Sequence, residues 1–339
     1  MQKQIAIWQF IHNNLQLDIP VMLLYVLESK GSSPGRQGFF MAVNMKGEME
    51  GSIGGGIMEH KFVEMAKEKL QEKNAKEVTD IRVQVHDKAA AKNQSGMICS
   101  GEQTNFLYRM QSKDIHSLEK LIRCLADNKR GQIQLSPHGF LFSEDVEDEK
   151  NFQYHFNSER DWLYREKVGF KNSLFIIGGG HCALAFAKIM SMMDFYIQVY
   201  ETRADLHTMI LNDYAHQKHV IEDYSNLVEL IPSGRDHFVV VMTVGYRTDE
   251  KAVKAMLSKD FRYFGLLGSS KKIKKLLTNL KKEGFSQAQL DRICAPVGLP
   301  INSQTPEEIA ISIAAQIIQI KNVVPNKIND PDLKKIFSD

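Results

Sequence analysis

Residues 173–205, SLFIIGGGHCALAFAKIMSMMDFYIQVYETRAD, read as a strand, a turn, a helix and a second strand. Residues 174–177 are a short apolar run of the kind carried by a strand buried on both faces. The run ends in Gly178-Gly179-Gly180-His181-Cys182-Ala183, which fits a G-x-G-x-x-G/A fingerprint with alanine in the last place. Helix-compatible residues follow over 183–193, and an apolar segment over 195–200 ends at Glu201, which follows the first glycine by 23 residues (201 − 178). That is the spacing of a dinucleotide-binding βαβ unit. Gly178 permits the tight turn out of the strand, Gly180 lets backbone approach a pyrophosphate, and Ala183 allows close helix packing. The helix N-terminus offers unpaired N–H groups to an anion. His181 either faces a ligand or caps the helix. Glu201 is placed to accept from a ribose 2′-OH and to repel a 2′-phosphate, which favours NAD over NADP. The same pattern also serves a Rossmann-type domain that keeps the turn for packing and binds another phosphate compound, or nothing.

The chain has 339 residues, enough for two domains of ordinary size, and its 43% hydrophobic and 25% charged content is that of a globular protein. Lys+Arg 43 against Asp+Glu 41 leaves a net charge of +2, so no global field draws the molecule to nucleic acid or an anionic membrane. No apolar run approaches the roughly 20 residues of a membrane span, and MQKQIAIWQFIHNN lacks a signal-peptide core, so a cytoplasmic location is expected. Cys99, Cys124, Cys182 and Cys294 are scattered, without the spacing of a disulfide framework or a zinc site.

Along the first half, an amphipathic helix over 3–14 precedes an apolar strand over 21–27. The strand delivers Gly31-Ser32-Ser33-Pro34-Gly35-Arg36-Gln37-Gly38, a loop too rich in glycine, serine and proline to be regular. A strand over 39–43 and a turn lead to Gly51-Ser52-Ile53-Gly54-Gly55-Gly56, which opens a helix over 57–73. Two such loops in one small domain expose consecutive backbone N–H groups, while Ser32, Ser33 and Ser52 add hydroxyls and Arg36 a bidentate phosphate donor. Together they point to a phosphate-bearing ligand; either loop alone reads as a tight turn. A half-buried strand over 81–85 is followed by a loop over 87–103 that holds Cys99 between glycines. There, exposure and N–H dipoles favour a thiolate, though a small residue filling a turn fits too. Cys124 lies on the inner face of a helix over 114–129. Strands are expected over 132–135 and 140–142. Residues 143–150 are acidic and unpatterned, and the domain boundary is expected between there and about Glu166, although Trp162 and Tyr164 suggest packing: one domain over 1–165, a second over 166–325 and a tail over 326–339.

In the second half, the unbroken apolar strand 238–242 ends in Thr243-Val244-Gly245-Tyr246-Arg247-Thr248-Asp249, which should border the ligand cleft at the carboxyl edge of a doubly wound sheet. The strand 263–267 feeds Gly268-Ser269-Ser270, a second anion-site candidate, and then a lysine-rich helix read as a charged outer face. Thr305 as N-cap, Pro306 at N1 and Glu308 at N3 form a capping box that starts a largely buried helix over 309–320. The fold class is thus α/β: an N-terminal mixed α/β (α+β) domain, then a Rossmann-like, doubly wound parallel-sheet domain.

Six ordered motifs carry a further resemblance: Gly31-Ser32-Ser33-Pro34; Gly51-Ser52-Ile53-Gly54-Gly55-Gly56 with Glu59; Gly-x-x-Cys at Cys99; Gly178-x-Gly180-His181; Gly265-Leu266-Leu267-Gly268-Ser269; and Ala295-Pro296-x-Gly298-Leu299 through Thr305-Pro306-Glu307-Glu308-Ile309-Ala310. The chain closely resembles the xanthine dehydrogenase accessory protein family (XdhC/CoxI type) over residues 5–320. The resemblance implies a molybdenum cofactor (molybdopterin) bound by the first-domain loops, with Cys99 as the cofactor-loop cysteine; NAD or another nucleotide in the second domain is the reading of the fingerprint alone. It implies a maturation chaperone more than a catalyst, a homodimer that assists sulfido-ligand acquisition. The cofactor passes to a molybdenum hydroxylase of the xanthine dehydrogenase type, and a cysteine desulfurase is the implied sulfur source. Three departures stand out: Ser100 where the family has the first glycine after cysteine, Val244 where it has histidine, and Gln316 where it has glutamate. The competing reading is an NAD-dependent oxidoreductase, which needs a proton donor near the nicotinamide; Val244 argues against it and leaves only His181.

Overall fold

The computed structural model describes residues 2–72, 79–85, 101–146 and 150–322. The chain divides into two compact units, Met1–Phe170 and Lys171–Asp339. The first unit runs α1 (Gln2–Gln16), β1 (Val21–Gly31), β2 (Phe40–Asn44), β3 (Met49–Gly51), α2 (Gly56–Gln71), β4 (Thr79–Val85), β5 (Gly101–Arg109), α3 (Ile115–Ala126), β6 (Gly131–Ser136), β7 (Gly139–Ser143), β8 (Phe152–Ser158) and β9 (Asp161–Val168). One antiparallel sheet has the order β3-β2-β1-β5-β4 and the other β7-β6-β9-β8. Along β1, Leu23, Tyr25 and Leu27 enter a core shared with α1, α3 and the second sheet. Met22, Leu24 and Val26 point the other way, onto Met58, Phe62 and Leu70 of α2. Cover on both faces is why β1 reads as an unbroken apolar run rather than an alternating one.

The stretch in which the domain boundary is expected carries β8 and β9. Trp162, Tyr164, Glu166 and Val168 alternate inward along β9. The carboxylate of Glu166 breaks the apolar pattern, which is why the period of two escapes a sequence reading. It is accommodated because Tyr25 and Tyr164 donate their hydroxyls to its Oε2 at 2.6 and 2.8 Å. Burial, then the Glu166 charge, push both tyrosines well above their ordinary pKa, so they remain protonated donors. β5 likewise starts at Gly101, within the expected loop, which places Gln103 on a strand.

The second unit runs β10 (Asn172–Ile177), α4 (His181–Ser191), β11 (Phe195–Glu201), α5 (His207–Ile210), β12 (Gln217–Val220), α6 (Leu227–Leu230), β13 (Gly234–Val241), α7 (Tyr246–Met256), β14 (Phe261–Leu266), α8 (Ser270–Lys282), α9 (Gln287–Leu290) and α10 (Pro306–Asn322). Its sheet is parallel, in the order β12-β11-β10-β13-β14. α4 and α10 pack on one face, α7 and α8 on the other, the doubly wound arrangement. The strand order reverses between β10 and β13, so Gly178 and Thr243 stand side by side at the carboxyl edge. The expected capping box holds α10: Glu308 N donates to Thr305 Oγ1, and Thr305 N to Glu308 Oε2, each at 3.2 Å. The Ala-Pro-x-Gly-Leu stretch packs on α10, where Gln316 Oε1 accepts from Gly298 N at 2.9 Å and from the Tyr263 hydroxyl at 2.5 Å. Among the described residues no helix is long and apolar enough to cross a membrane.

Candidate functional sites

In the first unit the two glycine loops meet at the end of β1. A Cβ on Gly35 would lie 2.1 Å from the Ile53 carbonyl oxygen, and one on Gly54 would lie 2.5 Å from Gly35 N. Only glycine permits so close a crossing. The crossing is tied by Gln103, a fully buried residue that the sequence reading leaves in a loop. Its Oε1 accepts from Ser33 Oγ at 2.9 Å and Gly35 N at 3.2 Å; its Nε2 donates to Ile53 O at 3.0 Å and Asn105 Oδ1 at 2.7 Å. One amide thus spans both loops and the strand beneath them. Gly31 pairs with Gly101 across β1 and β5, and Ser32 lies over Gly101. Arg36 is exposed, with Nη1 donating to Gly31 O at 3.3 Å.

Glu59 acts as an internal anion for the second loop. Its Oε2 accepts from Ser52 Oγ at 2.7 Å, Ile53 N at 2.9 Å and Gly55 N at 3.0 Å, while Gly54 N donates to Ser52 Oγ at 3.1 Å. Loop amides that looked free for a phosphate are therefore engaged within the protein. Gly55, the residue before α2, has its N–H engaged too, but its φ is +75° and no atom lies within 4 Å of an added Cβ. Gly56, also at positive φ, opens the helix and is exposed. The open space, the positive end of α2 and the Arg36 guanidinium are what this unit offers an anion. Cys99 lies outside the described residues. Of the other cysteines, Cys124, Cys182 and Cys294 are free, and burial pushes each thiol pKa up, as inert cysteines require.

In the second unit Gly178 is a structural glycine, with φ +111° and a would-be Cβ 2.4 Å from Met242 O. Gly180 is not. Its φ of −73° suits any residue, and no atom lies within 4 Å of an added Cβ, so neither strain nor packing requires glycine there. His181 opens α4 and is exposed. Glu201 stands at the end of β11 as expected, but it is 1% exposed and turned inward. Oε2 accepts from Gly179 N at 2.8 Å and Arg203 Nη2 at 2.9 Å. Oε1 accepts from Thr202 N at 2.8 Å, Arg203 N at 3.2 Å, Arg203 Nε at 3.1 Å and the Tyr224 hydroxyl at 3.1 Å. Burial raises its pKa, but the bonds from Arg203, Gly179 and Thr202 outweigh that and lower it to about 2.

Thr243 is braced by the fully buried Asp249, whose Oδ1 accepts from Thr243 N at 3.1 Å and Thr243 Oγ1 at 2.5 Å. Asp249 also pairs with Lys272. That lysine, expected on a solvated face, turns inward because a buried carboxylate calls for a cation. Val244 is 75% exposed at the crest of the same turn. Ser269 is the N-cap of α8, accepting from Lys272 N, with Gly268 beside it. Gln103, Arg203, Tyr224 and Lys272 escape the sequence reading. Only Arg203 left a signal, an arginine two residues beyond the acid that ends the second strand.

Residues 15–81 match the family model described as XdhC and CoxI family, and residues 174–317 match the XdhC Rossmann domain. The chain is 25% identical over 312 residues to the uncharacterized protein YqeB of Escherichia coli strain K12, a match covering 90% of this chain and 44% of that protein. It is 36% identical over 85 residues to a probable xanthine dehydrogenase subunit of Bacillus subtilis strain 168, covering 25% of this chain and 24% of that one. The chain thus spans less than half the length of these curated relatives. The crystal structure of a xanthine dehydrogenase from Bacillus halodurans superposes with a TM-score of 0.70 over 95% of this chain and 98% of that one, at 23% identity, a likeness of fold.

Proposed function

The chain belongs to the XdhC and CoxI family, and on that premise we propose that it is an accessory protein binding the molybdenum cofactor for a molybdenum hydroxylase of the xanthine dehydrogenase type. One observation carries the reading: the family segment 15–81 contains both crossed glycine loops, Arg36 and Glu59. The residues fit a phosphate-bearing pterin in that Gly55 leaves open a space beside the α2 N-terminus that a Cβ would fill. Arg36 and the first amides of α2 would hold the phosphate, while Gln103 and Glu59 keep the loops in shape. When bound, the cofactor supplies a molybdenum centre that is to gain a terminal sulfido ligand. Cys99, two residues before Gly101 in the sequence, is the thiol we assign to the molybdenum end, with a cysteine desulfurase as sulfur source. The second unit binds NAD or another adenine nucleotide over Gly180, whose missing Cβ serves no purpose within the protein. A homodimer in the cytoplasm completes the proposal.

The test is to purify the chain from cells that make molybdopterin and identify what accompanies it; stoichiometric pterin is expected. Arg36→Ala should weaken binding by about 1.5 to 3 kcal/mol, and unchanged binding would remove Arg36 from the site. Cys99→Ala should fold yet fail to mature the hydroxylase; maturation at the normal rate would remove Cys99.

A further inference from the structure

We propose that Arg203 makes the nucleotide site of the second unit a reader of a ribose 2′-phosphate, so that NADP binds in preference to NAD. The proposal rests on the nucleotide reading above and sets its specificity. In a dinucleotide-binding unit the acid at the end of the second strand accepts from the 2′-OH, whereas an arginine nearby takes the 2′-phosphate. Glu201 has the position of that acid and neither of its properties. A carboxylate offers about four lone-pair sites, and those of Glu201 already take three backbone N–H groups, two N–H groups of the Arg203 side chain and the Tyr224 hydroxyl. Its charge is paired with Arg203 at 2.9 Å, so the net field at the strand end is not the repulsive one read from the sequence.

What this strand end offers solvent is Arg203, whose side chain is 40% exposed. A guanidinium carries five N–H donors, and Glu201 engages those on Nε and one on Nη2, leaving both on Nη1 and the second on Nη2. That set suits a phosphate, which guanidinium binds in a bidentate fork. The pairing with Glu201 holds the fork in place, so little side-chain entropy is lost when the phosphate arrives. The nearby opposing charge, Asp205, is solvent-exposed and therefore screened.

Calorimetry on the full chain, with NADP against NAD and 2′,5′-ADP against 5′-ADP, tests this without a variant. NADP and 2′,5′-ADP should each bind about tenfold or more tightly than their partners, the size of one charge-assisted fork. Arg203→Lys keeps the charge beside Glu201 but loses the fork; it should cut the preference for NADP over NAD to about threefold. NAD binding as tightly as NADP would overturn the specificity and leave the nucleotide site standing, as would an undiminished preference in Arg203→Lys. Binding of none of the four compounds would overturn the site and the specificity together.

Discussion

Two stretches of three consecutive glycines, Gly54-Gly55-Gly56 and Gly178-Gly179-Gly180, look alike on paper and differ in the folded chain. In the first unit most of the glycine is structural. The loops cross so closely that a side chain at Gly35 or Gly54 would strike backbone, and Gln103 and Glu59 bind the amides that the crossing exposes. In the second unit one glycine is structural, Gly178, and another, Gly180, meets nothing. A glycine-rich loop is thus two different things. It is a device for close backbone approach within the protein, or an opening left for something from outside.

The comparison breaks most visibly at Gln103. Gln103→Leu would remove one buried hydrogen bond from each of Ser33 Oγ, Gly35 N, Ile53 O and Asn105 Oδ1, and a loss of about 3 to 4 kcal/mol of unfolding free energy is expected in urea titration. A loss below about 1 kcal/mol would mean that the loops are not held by this amide.

The anchored carboxylate of the second unit gives a pH signature. The folded-state pKa of Glu201 is lowered to about 2, against an ordinary value of 4.5 in the unfolded chain. Its contribution is therefore fully present above about pH 4.5 and is lost as pH falls toward 2. Acid denaturation followed by circular dichroism should show about 3 kcal/mol of stability removed across that window, and Glu201→Gln should flatten the dependence. A variant with the wild-type acid profile would assign the transition to other carboxylates.

The smallest stability effect separates the two kinds of glycine most sharply. Gly180→Ala should leave thermal stability within about 1 kcal/mol, or raise it, because the native φ suits alanine, yet reduce nucleotide affinity by about tenfold or more. Gly178→Ala, at φ +111° and against the Met242 carbonyl, should instead destabilise by about 2 kcal/mol or more. Full nucleotide affinity in Gly180→Ala would mean that no ligand passes over that residue.

What the sequence alone determined is the part governed by local chemistry and period. The βαβ unit, its fingerprint glycines, the acid at the end of β11, the capping box of α10 and the apolar run of β1 are each fixed by residues close together in the chain. The family resemblance rests on the same local motifs. What only tertiary structure decided is who satisfies whom. Glu201 was legible as an acid in the right place, but its saturation by Arg203 and Tyr224 depends on a helix and a turn folding back over it. Gln103 was indistinguishable from any polar loop residue until β5 carried it under both glycine loops. β9 was hidden because the carboxylate of Glu166 occupies an inward position, where tyrosines on β1 and on β9 itself donate to it. Buried polar groups must find partners, those partners are often distant in sequence, and one sequence read along its length shows the need without the partner.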